Sequence, residues 1–187
     1  MELKNICKSF GDHKVLDDVS LIVPKGCRVL ISGQSGRGKT TLLRIMMGLE
    51  RPDSGLVQNR PARQAAVFQE DRLPEEFTAV NSVRMTCRRS VSKRLIREHL
   101  AEVGLEGHTE KTIAQLSGGM RRRVAIVRAV LSDAEMICFD EPFTGLDDKT
   151  KRLTAEYILK NCGDKTLVFV SHCTDDAQLL NAKEIQM

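Results

Sequence analysis

Apolar and polar positions alternate over residues 1 to 32, with breaks at Gly11 and at Pro24, Lys25 and Gly26. A period of two bounded by turn residues predicts antiparallel strands. Within that stretch Val29, Leu30 and Ile31 form a continuous apolar run, the mark of a buried strand. The run ends in a glycine cluster, and a helix is expected from Lys39 to Met47, where Gly48 stops it. Arg51, Pro52, Asp53, Ser54 and Gly55 read as a turn, and Ala65, Ala66, Val67 and Phe68 as a further strand. From about Asp71 to Leu116 an insertion is expected to form a helical lobe. Residues 121 to 170 return to strand and helix alternation, with apolar runs at Met136–Phe139 and Leu167–Val170, which completes a mostly parallel sheet. The chain shows neither internal repeats nor low-complexity tracts.

The 187 residues suffice for one compact domain, 1–187, with a substantial core. No apolar stretch approaches the roughly twenty residues that span a bilayer, and the opening MELKNICKSF lacks a signal-peptide core. A cytosolic protein is expected. The six cysteines include no CxxC pair, so reduced thiols are expected and no metal is assigned to them. A net charge of +4 without interleaved aromatics gives no support for nucleic-acid binding.

The chemistry begins at residues 33 to 40, GQSGRGKT. Glycines at Gly33, Gly36 and Gly38 let backbone N–H groups converge on one point, and the following helix adds its positive N-terminal end. An anion of phosphate size fits there, with Gln34, Ser35 and Arg37 contributing to the same loop. Lys39 is placed to reach the β- and γ-phosphates of a nucleotide, Thr40 to put its hydroxyl on Mg²⁺, and Thr41 to bond the α-phosphate. Such a loop alone leaves kinases, GTPases and motor ATPases open. A second acidic element follows at Asp140 and Glu141, which end the apolar run Met136–Phe139. At the C-terminal end of a central parallel strand, Asp140 can hold Mg²⁺, and Glu141, one residue on, can act as general base or orient water.

Residues 116 to 120, LSGGM, with RRRVAIVRA after them, resemble the signature of the ATP-binding cassette (ABC) ATPases, and the likeness runs over nearly the whole chain. It implies a P-loop NTPase fold: an α/β domain with a mostly parallel sheet core, an N-terminal antiparallel subdomain and an inserted helical subdomain at about 71–116. It also implies that Ser117, Gly118 and Gly119 cap the γ-phosphate held by an opposite subunit. A helix start with a serine hydroxyl and two glycines suits that role physically. Phe10 resembles the aromatic that stacks on adenine. Gln69 resembles the glutamine that contacts Mg²⁺ and the attacking water, and His172 the histidine that contacts the γ-phosphate. Thr144, Gly145, Leu146 and Asp147 resemble the loop that crosses the dimer interface.

Two departures stand out. Met120 replaces the usual glutamine, and fifteen residues follow His172, so no regulatory C-terminal domain is expected.

The resemblance implies ATP and Mg²⁺ as cofactors, with Lys39, Gln69, Glu141 and His172 as catalytic residues and Thr40, Gln69 and Asp140 around the metal. It implies ATP-driven head-to-tail pairing with a second copy or another ABC subunit. The expected partner is a membrane permease, joined in importers by an extracytoplasmic substrate-binding protein, with this chain peripheral on the cytoplasmic face. VFQEDRLP and EPF most resemble nitrate-, sulfonate- or taurine-type importers. The other class is a soluble ATP-gated assembly module, whose coiled-coil insertions or tandem cassettes are missing here. A kinase has no use for the signature, and a GTPase would carry NKxD. Arg84, Arg88, Arg89, Lys93, Arg94 and Arg97 form a basic stretch, read first as a solvated helix face and second as a surface for permease loops or anionic headgroups.

Overall fold

The computed structural model describes residues 1–173 and 175–187. Two sheets organise them. β1 (Glu2–Phe10), β2 (His13–Ile22) and β4 (Ser54–Gln58) form an antiparallel sheet in the order β2-β1-β4. β3 (Arg28–Ser32), β5 (Gln64–Val67), β6 (Met136–Asp140), β7 (Thr166–Ser171) and β8 (Lys183–Gln186) form a parallel sheet in the order β5-β6-β7-β3-β8. The alternation read over residues 1 to 32 therefore divides between the sheets. Its last strand, β3, is nearly continuous in apolar residues because it lies inside the parallel sheet with both faces covered. A further difference falls on the expected turn at Arg51–Gly55, whose last two residues begin β4. Gly55 has a φ of 96° and lies so close to the backbone of Lys4 and Asn5 that no side chain fits, so the glycine serves strand contact as well as reversal.

Strand alternation splits the core into two layers. On one face of the parallel sheet Leu30, Ile137, Phe139, Leu167 and Phe169 meet the helical lobe and the later helices. On the other, Val29, Ile31, Met136, Cys138, Val168 and Val170 meet α1 (Lys39–Met47) and the antiparallel sheet. Phe139 and Phe169 are register partners across β6 and β7, and their rings stack with centroids 4.8 Å apart. The thiol of Cys138, fully buried in β6, is pushed up to about 12 by desolvation, so it acts as a small apolar filler. All six cysteines are free.

The insertion forms α2 (Ala79–Arg84), α3 (Lys93–Glu102) and short 3₁₀ turns at Glu106–His108 and Ile113–Gln115. Thr78 and Ser92 cap the two helices by accepting from Asn81 N at 3.2 Å and Leu95 N at 3.1 Å. The expected basic helix face is split between two helices and the loop joining them, and much of its charge is spent locally. Arg84 donates to the carbonyls of Cys87, Arg88 and Arg89; Arg88 pairs with Asp133, Arg94 with Glu98 and Arg97 with Glu110. α4 (Gly118–Val130) follows the lobe, α5 (Asp148–Asn161) follows β6, and α6 (Asp175–Leu179) leads into β8. No helix among the described residues is long and apolar enough to cross a membrane.

The stacked pair yields a stability prediction. Phe169→Ala removes a fully buried ring from the centre of the sheet and is expected to cost about 3–5 kcal/mol. Urea denaturation of the nucleotide-free chain should show a lower midpoint at unchanged slope, and an unchanged midpoint would contradict this packing.

Candidate active site

The cradle forms where β3 hands over to α1. Gly36 and Gly38 hold φ values of 82° and 81°, a region costly for any other residue, and so curl the backbone. A side chain on Gly38 would also collide with Val15 and Leu16 of β2, so the antiparallel sheet packs directly against the loop. Lys39 is the first residue of α1, and only 6 % of it is exposed. Its ammonium donates to Gly33 O at 2.7 Å and Gln34 O at 2.9 Å, folding back over the loop it must serve.

Asp140 ends β6 and is 1 % exposed. The Thr40 hydroxyl lies 2.9 and 3.1 Å from its two carboxylate oxygens, which joins the second residue of α1 to the strand end. Burial raises the Asp140 pKa, against the pull of that hydroxyl bond. A buried carboxylate beside a hydroxyl, with Gln69 lining the same cavity, offers oxygen donors suited to a hard divalent cation. Among the described residues no cluster of three or more His, Cys, Asp or Glu forms a protein-only metal cage. Mg²⁺ is commonly held by one or two carboxylates together with substrate phosphates, and the Asp140 carboxylate beside the Thr40 hydroxyl fits that pattern.

One open cavity of about 240 Å³ gathers Ser35, Gly36, Gly38, Lys39, Thr40, Thr41, Gln69, Asp140, Glu141 and Val15. Part of the set expected from the sequence thus converges, while Gly33, Gln34, Arg37 and His172 do not line this cavity; Val15, which nothing in the sequence singles out, does. It also lines a larger neighbouring space of about 660 Å³ between β2, Arg37 and Met187. Glu141 takes a φ of 51°, unusual for a residue with a side chain, and its amide donates to Val170 O at 2.9 Å. His172 Nδ1 lies 3.0 Å from both Glu141 carboxylate oxygens, so the two form one pair. When the carboxylate accepts, Nδ1 is the donor.

Other expected residues lie elsewhere. Phe10 is at the tip of the β1–β2 hairpin, 50 % exposed, with the Lys8 ammonium 5.1 Å from its ring centre, and it does not line the cradle cavity. Ser117 caps α4 and is solvent-exposed, its hydroxyl accepting from Met120 N at 3.4 Å. Gly119 faces Leu146 and Gly145, so the signature abuts the loop after β6 but stays outside the cavity of its own chain. Asp147 is exposed, and its carboxylate caps α5, accepting from Thr150 N and Thr150 Oγ1 at 2.9 Å each. Those bonds hold its pKa below the usual carboxylate range. A capping aspartate was not anticipated from the motif.

The sequence also left Arg122 unremarked. Only 6 % exposed, it donates to the carbonyls of Phe68 and Gln69. Three successive arginines after Met120 give no sign of which one turns inward.

Comparison with known proteins finds the family and several relatives of the chain. The family model described as ABC transporter matches residues 16–144. The chain is 38 % identical over 184 residues to the aliphatic sulfonates import ATP-binding protein SsuB 1 of Nocardia farcinica, covering 95 % of this chain and 73 % of that protein. It is 36 % identical over 205 residues to the bicarbonate transport ATP-binding protein CmpD of Synechococcus elongatus, covering 99 % and 74 %. Among solved structures, the dimeric post-hydrolysis state of the ATP-binding cassette MJ0796 bound to ADP and Pi superposes with a TM-score of 0.84 at 29 % identity, over 100 % of this chain and 93 % of that one. By its match to the family model and to these relatives, the chain belongs to the ABC transporter family and is one of its ATP-binding, ATP-hydrolysing cassettes.

Proposed function

We propose that this cassette binds MgATP in the Lys39 cradle, pairs head-to-tail with a second cassette, and hydrolyses ATP to energise a separate membrane permease. One observation carries the reading: the cradle, Thr40, Gln69, Asp140 and Glu141 line one cavity, while Ser117–Gly119 of the same chain do not. The likeness to ATP-binding proteins of sulfonate import and bicarbonate transport supports a transport role over a soluble assembly module. The likeness to a dimeric cassette supports pairing.

In this reading ATP supplies the phosphoryl group and Mg²⁺ the local positive charge; the residues supply placement. Lys39 moves from the loop carbonyls to the bound phosphates. Thr40, Asp140 and Gln69 would hold the cation. Glu141 orients or deprotonates the attacking water, and His172, bonded to its carboxylate, keeps that group aimed. Phe10 offers a ring face to the base, and the Ser117 helix start closes the site from the partner. The chain sits on the cytoplasmic face of the membrane, where it meets the permease, and in an importer a substrate-binding protein works from the other side.

Three outcomes are expected. Lys39→Ala should weaken ATP affinity in calorimetry by at least about tenfold, roughly 1.4 kcal/mol. Glu141→Gln should cut turnover by about a hundredfold or more while binding persists, and it should trap an ATP-dependent dimer visible by light scattering. A monomer at saturating MgATP would count against pairing of the isolated cassette. Ser117→Arg puts bulk and charge at the exposed helix start and should abolish that dimer, leaving monomer ATP affinity within about twofold. Persistent dimerisation would remove the role given to the signature.

A further inference from the structure

The loop that carries Gln69 is bound to α4 by two arginines. Arg122, buried on the helix, donates to Phe68 O through Nη1 and to Gln69 O through Nη2, while its Nε lies 3.2 Å from Asp71 Oδ1. Two turns further along, Arg128 donates to Arg72 O at 3.2 Å and Asp71 O at 3.3 Å. The loop also braces itself: Arg72 takes a φ of 45°, and its guanidinium lies 4.9 Å from the Phe68 ring centre. Five neighbouring carbonyl and carboxylate contacts are therefore made by one helix. That helix begins at Ser117, the residue that faces the partner in the proposed dimer.

Such a grip is costly unless every group is matched. Burial raises the Asp71 pKa despite Arg122, Arg121 and Arg128 nearby, and desolvation lowers that of Arg128. A planar guanidinium suits the place because its donors diverge in a fixed fork, able to bridge two successive carbonyls while facing a carboxylate. Arg122 takes only the backbone oxygen of Gln69, and the residue still lines the cradle cavity. The contact fixes the base of the residue and leaves its amide for chemistry.

We infer that Arg122 is a positioning residue for Gln69, a rigid tie that sets the glutamine in the cradle according to where the signature helix stands. The inference rests on the catalytic role proposed for Gln69. A displacement of α4 on pairing would then be delivered to the metal and water position through two carbonyls, without a contact between Arg122 and nucleotide.

The test is a double-mutant cycle on steady-state ATP hydrolysis by the full chain. Arg122→Gln keeps a donor but cannot bridge both carbonyls; it is expected to lower kcat by about tenfold to a hundredfold, the scale of a misplaced catalytic group, with KM for ATP within about twofold. In a Gln69→Ala background the same substitution should change kcat by less than about twofold, because the group it positions is gone. Arg122→Lys, which retains the charge beside Asp71, should recover part of the loss and is the variant to carry through the cycle should Arg122→Gln not fold. Independent, multiplicative losses in the two backgrounds, or a loss confined to KM, would overturn the positioning role while leaving that of Gln69 standing. A Gln69→Ala chain with wild-type kcat would instead overturn the reading on which the inference rests.

Discussion

The contact between the Thr40 hydroxyl and the Asp140 carboxylate holds the site together. It joins the first turn of α1 to the end of β6, residues one hundred positions apart, and so sets the cradle over the C-terminal edge of the parallel sheet. The arrangement has a cost. Asp140 is almost wholly buried, and its folded pKa lies above the ordinary carboxylate value because desolvation outweighs the hydroxyl bond. A group so raised favours the fold while protonated, below its unfolded pKa, and that contribution is lost as pH rises through the folded pKa. The charged form is therefore held at some expense to the fold, and a cation beside it would offset that expense. Stability given up at this strand end and affinity for a cation there would have the same electrostatic origin.

The two-layer core explains how such a contact can be made rigid. In β6, Met136 and Cys138 point to the layer containing α1, and Ile137 and Phe139 to the layer containing α4. Asp140 continues the alternation on the α1 side, where Thr40 waits. Glu141 comes next in sequence but leaves the strand through a φ of 51°, and its amide is retained by Val170 O. The change of backbone direction separates two adjacent acids into two environments, one buried against Thr40 and one paired with His172. Adjacent acids given different surroundings are well suited to different tasks.

Much of this was legible because it depends on local order. The glycine spacing before Lys39, the apolar run ending at Asp140 and the Ser-Gly-Gly helix start are each read along a few residues, and the structure places the first two in one cavity. What escaped depends on the third dimension. Arg122 lies in a helix whose buried positions include Val124, Ala125, Ile126 and Val127, a full turn of them, so periodicity does not single out which arginine faces inward. The positive φ of Glu141 has no glycine to announce it. Gly55 has the composition of a turn yet works as a strand residue pressed against β1. Asp147 fits an interface motif, while its carboxylate caps α5, a bond that sequence shows only as an acid before a helix.

The same two layers bear on why Ser117–Gly119 lie outside the cradle cavity of their own chain. α1 packs on one face of the parallel sheet and α4 on the other, so the N-terminal ends that offer backbone donors belong to helices separated by the sheet's thickness. Gly119 meets Leu146 and Gly145 of its own chain, leaving Ser117 and Gly118 open to solvent. An exposed helix start flanked by glycines presents N–H groups and positive potential outward, where they stabilise nothing in the isolated fold. A charged ligand in a second copy's cradle gives those donors a partner, and rotation of one cassette onto another is the symmetric way to supply it twice. In the proposed dimer, pairing and anion binding would be one event: donors at the opposite α4 would meet the phosphate held in each cradle, and the free energy of closing the interface would depend on that phosphate.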